Sequence, residues 1–185
     1  MRILLIVILF LGINLNAQKQ PYGIKVGSNL SHLVGDGTQD ASFSSRLHAG
    51  LYMEILIDDL GSFQPELLYT GYGFKLDNNG LKTDVGLNYL ALSVLSKIFI
   101  FKRFSLDAGP QVGLLVSAND REDNVSNLKS DFYNRDFGVN LGCSYDILKK
   151  ITASFRYYVG LTDVTTVDSK NFNRSFQIAF QYKIN

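Results

Sequence analysis

Alternation of apolar and polar side chains with a period of two dominates this sequence from Tyr22 to its end. In residues 176–184, for example, Phe, Ile, Phe, Tyr and Ile alternate with Gln, Ala, Gln and Lys. This is the period of a β-strand, whose successive side chains point to opposite faces. The pattern therefore predicts an all-β chain of eight strands. They cover residues 22–30, 46–57, 63–75, 86–98, 104–116, 135–147, 151–162 and 176–184.

The connections between these segments alternate in length. Short turns follow the second, fourth and sixth segments, and long connections rich in Asp, Asn, Ser and Gly follow the others. Short turns at one rim and long loops at the other are typical of an up-and-down transmembrane β-barrel, and each segment is long enough for a tilted membrane strand. We therefore predict an eight-stranded antiparallel up-and-down transmembrane β-barrel. Its short turns are 58–61, 99–103 and 148–150, and its long loops are 31–44, 76–85, 118–134 and 163–173.

The two faces of the predicted strands differ in charge and in size. One face carries Phe, Leu, Ile, Val and Tyr almost without a charge, which suits lipid because a cation at mid-bilayer costs about 2–4 kcal/mol. The other face carries the charges, and small residues accompany them, as the narrow lumen of eight strands requires. A soluble periplasmic or secreted lipocalin-like barrel, with its apolar face around a hydrophobic ligand, is the alternative. The glycines of the charged face are Gly27, Gly50, Gly109, Gly113, Gly138, Gly142 and Gly160.

The charges of the inner face are the candidate site. A charge buried without a partner costs several kcal/mol, so we expect these groups to form ion pairs across the lumen. The preferred pairs are Glu66 with Arg46, and Arg156 with Asp107 or Asp136. The network is interpreted as a structural plug, and a narrow ion path lined by the same groups is the alternative. Its members are Arg46, Glu54, Glu66, Asp107, Asp136 and Arg156, with Lys25, Lys97 and Lys183 as further candidates.

The first 17 residues resemble a secretory signal peptide. Arg2 precedes an apolar run of about ten residues, and the small residue Ala17 ends the segment. We therefore divide the chain into a signal peptide, 1–17, and a barrel domain, 18–185. The exported domain is then formally neutral, because Arg2 is one of 18 basic residues against 17 acidic ones. That balance argues against nucleic acid as a partner.

Catalytic and metal-binding residue patterns are weak in this sequence. His32 lies near Ser31 and Asp36, but three such residues within one loop arise easily by chance, and His48 belongs to the inner face. The acidic segment 119–126 lacks the glycine and the ligand pattern of a calcium loop. We predict no enzyme activity, no cofactor and no metal site.

Six segments resemble the small outer-membrane β-barrels of Bacteroidetes, known as porin-family or PorT-like barrels and related in architecture to the OmpA and OmpX barrels. The resemblance implies an eight-stranded barrel and an outer-membrane location in a Gram-negative bacterium, and it implies no catalytic residues. These segments lie in the same order along the chain as in the family. They are Gly23–Leu30, Phe63–Tyr69, Tyr89–Lys97, Ala108–Gly113, Asp136–Gly142 and Arg156–Asp163.

Together these observations predict an integral outer-membrane protein without enzyme activity. Its role is membrane-structural or lies in surface interactions, and a very narrow pore is a further alternative. The expected partners are outer-membrane lipid and lipopolysaccharide, with an extracellular ligand or envelope protein as an alternative partner of the long loops. We expect a monomer.

Overall fold

A computed structural model describes residues 20–35, 42–78, 81–120, 128–166 and 170–185. The predicted signal peptide, 1–17, lies outside these residues. The second strand is interrupted at Glu54 and continues as Ile55–Leu56. The eight strands are β1 (Tyr22–Gly35), β2 (Ser42–Met53), β3 (Gly61–Asn78), β4 (Leu81–Phe101), β5 (Phe104–Asp120), β6 (Arg135–Leu148), β7 (Ile151–Gly160) and β8 (Asn171–Lys183).

The strands close into a ring in which every neighbour is antiparallel. Each strand pairs with the next along the chain, and β1 also pairs with β8, so that no edge of the sheet is left open. The predicted eight-stranded antiparallel barrel is confirmed. Between β5 and β6, residues 129–131 form one turn of 3-10 helix. In the described part of the chain, no helix is long and apolar enough to cross a membrane.

The short turns and the long connections lie at opposite ends of the barrel. We call the end formed by residues 57–60, 102–103 and 149–150 the turn rim, and the opposite end the loop rim. One predicted long loop, 76–85, is wrong, because β3 and β4 remain paired up to Asn78 and Leu81. The sequence is polar at 77–80 and 82–84 without alternation, so the pattern that marks the rest of each strand stops while the backbone pairing continues.

Exposure of the side chains shows which face points outward. Leu47 is 77% exposed and Ile178 is 58% exposed, whereas Glu66 and Arg156 are each only 2% exposed. A water-soluble protein has the opposite arrangement, with its large apolar side chains inside. The predicted outward apolar face is confirmed, and a carrier with an oily cavity is not favoured.

The interior has two zones rather than the single ionic one that we predicted. Charged groups fill the half nearer the turn rim, but aromatic and aliphatic side chains fill the half nearer the loop rim. There the rings of Tyr72 and Tyr158 stack with centroids 5.1 Å apart, and Tyr89 packs against Tyr72 at 5.8 Å. The lumen of eight strands is narrow enough for such side chains to fill it.

One glycine shows how the charged half accommodates a long side chain. Gly142 of β6 faces the lumen between Arg156 of β7 and Asp107 of β5, which are its partners in the two ladders. A Cβ at Gly142 would lie only 2.6 Å from Cγ of Arg156. The absence of a side chain at this position therefore lets Arg156 cross toward β5.

Candidate functional site

Four buried charges form a network across the lumen. The carboxylate of Glu66 accepts hydrogen bonds from Nζ of Lys25 at 3.0 Å and from Nη1 of Arg156 at 2.9 Å. Nη2 of Arg156 also lies 3.5 Å from Oδ2 of Asp107. None of the four residues is more than 3% exposed. Two cations and two anions therefore balance each other within the network, which we call the central network.

The central network ties together alternate strands of the barrel. Lys25 lies on β1, Glu66 on β3, Asp107 on β5 and Arg156 on β7. These strands share no backbone ladder, so the ion pairs cross the lumen and obstruct it. The expected contact between Arg156 and Asp107 is present, and the predicted role of Lys25 as a further member agrees with its bond to Glu66.

A second ion pair lies closer to the turn rim. Nζ of Lys97 is 3.0 Å from the carboxylate of Glu54, which also accepts a hydrogen bond from Ser62. Lys97 donates to Gln64 as well, and Gln64 donates to Glu66, so this pair is continuous with the central network. An open cavity of about 1140 Å³ at the turn rim has Glu54 and Lys97 in its wall.

The predicted pairing of Arg46 with Glu66 is wrong. Nη2 of Arg46 instead lies 2.6 Å from Oδ1 of Asp84, which also accepts a hydrogen bond from Ser44 at 2.7 Å. The Arg46 guanidinium packs against Gly73 and Gly86, positions that alternate with lumen-facing side chains and so face away from the lumen. Arg46 is only 4% exposed, because it lies between β2 and the outer face of β3 and β4.

A bulge in β2 explains the position of Arg46. The pairing of β2 with β3 shifts between Phe43 and His48, where β2 has one residue more than β3. Where the pairing of β2 with β3 is interrupted, side chains of β1 form hydrogen bonds with the β3 backbone. Asn29 donates to the carbonyl oxygen of Gly71, and Ser31 bonds to the backbone of Gly73. An extra residue shifts the alternation relative to the neighbouring strand, which the sequence pattern of β2 alone does not reveal.

Asp136 also lies outside the central network. Its carboxylate accepts hydrogen bonds from Nδ2 of Asn173 at 2.8 Å and from Thr162 at 3.3 Å, within the half of the lumen nearer the loop rim. It is 1% exposed and does not contact Arg156. Of the two acids expected opposite Arg156, only Asp107 lies there.

The two histidines differ in their surroundings. His48 faces the lumen as predicted, and its Nδ1 shares a hydrogen bond with Oδ1 of Asn29 at 2.8 Å. His32 lies within β1 rather than in a loop, and it faces outward while its neighbour Ser31 faces inward. A catalytic grouping of these two side chains is thus excluded by the strand geometry, and Asp36 lies outside the described residues.

Asp84 was not predicted as a member of the site, because it falls within the predicted loop 76–85. A usable signal was present on the apolar face of the neighbouring strands. Gly71, Gly73 and Gly86 lie at positions where a lipid-facing strand normally carries large side chains. Glycines clustered on that face indicate that another segment approaches closely, which is what Arg46 does.

One acid orders the connection between β7 and β8. The carboxylate of Asp163 accepts hydrogen bonds from the backbone N–H groups of Asn171 at 3.0 Å and Thr165 at 3.1 Å. Slight burial raises the pKa of this carboxyl, but those N–H donors outweigh burial and hold its pKa below the ordinary value. Residues 170–171 are thereby held close to 163–165 at the loop rim.

Comparison with known proteins places this geometry among membrane barrels. A family model described as an outer membrane protein beta-barrel domain matches residues 16–166. The Neisserial surface protein A structure is similar with a TM-score of 0.65 at 13% identity, covering 88% of this chain and 97% of that one. Ail of Yersinia pestis, solved with the heparin analogue sucrose octasulfate, gives a TM-score of 0.55 at 12% identity, covering 90% and 100%. No curated protein matches.

Replacing Glu66 by Gln tests the energetic weight of the central network. Glu66→Gln keeps the shape of the side chain but leaves Lys25 and Arg156 with one anion fewer, and breaking a buried ion pair costs about 3–5 kcal/mol. We expect the free energy of unfolding to fall by that order. Because the chain contains no Trp, urea titration is followed by far-UV circular dichroism and by heat-modifiable gel mobility.

Glu54→Gln is the matched control. Glu54 pairs with Lys97 beside the open cavity, where water can solvate the remaining cation, so its loss should cost less than half as much. Equal destabilisation by the two substitutions would show that the central network contributes no more to the free energy of unfolding than the pair of Glu54 and Lys97 does.

Proposed function

This chain belongs to the outer-membrane β-barrel domain family, and from that premise we propose that it is a closed, non-enzymatic barrel. Its lumen supports the fold and conducts no ions. Its biological role then belongs to its lipid-facing surface and to the connections at the loop rim.

The obstruction of the lumen carries this proposal. The central network fills one level, and its residues are at most 3% exposed. A second level, formed by Tyr72, Tyr89 and Tyr158, lies between that network and the loop rim, and each of these side chains is at most 1% exposed. An ion would have to displace both levels, one of them ionic and one aromatic, and each level is packed with its own partners.

Single-channel recording tests whether the barrel is closed. The purified full-length protein, shown to be folded by its heat-modifiable mobility, is added to planar lipid bilayers, and a known large porin serves as the control for insertion. We expect no conductance steps, and we expect Arg156→Ala to remain silent because the tyrosine level is unchanged. Reproducible steps for the wild-type protein that change in size with Arg156→Ala would contradict the proposal and support the narrow ion path.

We further propose that the chain is exported and cleaved after Ala17. The charged residue, the apolar run and the small residue of 1–17 support this step. N-terminal sequencing of the protein from isolated outer membranes should give Gln18 as the first residue, and recovery of an intact Met1 there would contradict it.

The affiliation with the PorT-like barrels of Bacteroidetes is a narrower proposal. It is supported by the six segments from Gly23–Leu30 to Arg156–Asp163, which fall on successive parts of the barrel strands or on their ends. Homologues that carry all six segments are expected in Bacteroidetes, and their general occurrence in other phyla would remove the basis for it.

A further inference from the structure

Two cations, Arg174 and Lys75, face outward near the loop rim, with His32 and Phe43 on the two strands between them. Arg174 of β8 lies directly opposite His32 of β1 in their ladder. The His32 ring packs on Phe43 of β2, with centroids 4.4 Å apart, and Lys75 of β3 pairs with the residue that precedes Phe43. We call Arg174, His32, Phe43 and Lys75 the cationic patch.

The cationic patch lies immediately above a lipid-facing aromatic row. One step toward the turn rim, Leu30 of β1 pairs with Phe176 of β8, and Phe176 pairs with Tyr157 of β7. The Phe176 and Tyr157 rings have centroids 4.7 Å apart, and Leu30 and Phe176 are exposed on the barrel surface. Aromatic rows of this kind lie at the membrane interface, so the patch is at the level of the lipid headgroups.

The charges of the patch are not neutralised as those of the lumen are. Lys25, Lys97 and Arg156 each pair with a carboxylate, whereas Arg174 and Lys75 form no salt bridge among the residues that the structure describes. Asp84 lies directly opposite Lys75 in the ladder of β3 and β4, and Asp136 acts on Arg174 from farther away. Both of those carboxylates already accept hydrogen bonds from other side chains.

The Arg174 guanidinium is held in place by backbone carbonyl groups and by an aromatic ring. Its Nη1 donates to the carbonyl oxygens of Gly160 and Asn173, and the group lies 5.9 Å from the centroid of the Phe172 ring. Both of these hydrogen bonds come from Nη1, and Arg174 lies on the outward face of β8. A fixed guanidinium suits the planar recognition of phosphate.

We propose that the cationic patch binds the phosphate groups of an outer-leaflet glycolipid headgroup, of the lipid A type. Arg174 and Lys75 are separated by three strand spacings of about 4.8 Å each. The distance between their strands is therefore roughly 14 Å, which is enough for a headgroup with two phosphates. The acyl chains would lie against the apolar surface below, beside Leu30 and Phe176. This assignment rests on the proposed membrane barrel and names a lipid partner for its surface.

Lipid binding by the full-length barrel tests this site. The protein is reconstituted in nanodiscs of neutral phospholipid, and lipid A with two phosphates, dephosphorylated lipid A, or inorganic phosphate is added in turn. We expect the phosphorylated lipid to bind more tightly than the dephosphorylated one. Each of Arg174→Gln and Lys75→Gln should weaken it about fivefold, the effect of one basic residue at an anionic surface.

Arg135→Gln is the matched control, because Arg135 is an exposed cation near the same rim but three strands from His32. Equal affinity for the two lipids, no effect of Arg174→Gln and Lys75→Gln, an equal loss with Arg135→Gln, or equal displacement by inorganic phosphate would overturn the site. A barrel that inserts into nanodiscs without preferring phosphorylated lipid contradicts only this inference. A protein that fails to insert contradicts the membrane barrel as well.

Discussion

Hydrocarbon offers no hydrogen-bond partner to a backbone N–H or C=O group, and the rest of this structure follows from that constraint. The chain meets it by pairing β1 with β8, which leaves no unpaired edge. Closure divides the side chains into two sets, one against lipid and one in a narrow lumen. The sequence alternation from β1 to β8 is the direct consequence of that division.

The lumen then has to accommodate what lipid excludes. Charges on the inner face are stable there only as pairs, and the stagger of the strands brings Glu66 between Lys25 and Arg156. Glycines such as Gly142 give the long side chains room to reach their partners. Nearer the loop rim, stacked tyrosines replace the ion pairs. Both solutions fill the same narrow cross-section, and both leave the outer surface and the loop rim as the places for contact with other molecules.

Strand identity and facing could be predicted from sequence because a period of two survives wherever one face meets lipid. Ion-pair partners could not, because they depend on the stagger between strands, which alternation does not encode. Arg46 shows the limit most clearly: one extra residue in β2 moves it from the expected lumen to Asp84, outside β3 and β4. Asp84 itself was not predicted because the polar residues at 77–80 and 82–84 interrupt the alternation that marks a strand.

The central claim, an apolar exterior in lipid around a charged interior, is tested most directly at Cys143. This is the sole cysteine of the chain, and it lies on the outward face of β6 between Leu141 and Tyr145, which are both exposed. A nitroxide label on Cys143 in the bilayer-reconstituted barrel should collide with oxygen, which concentrates in lipid, far more than with a water-soluble nickel chelate. The same label on Lys149→Cys in a Cys143→Ser background, in a turn at the turn rim, should show the opposite preference. Equal access of the nickel chelate to both positions would contradict the claim.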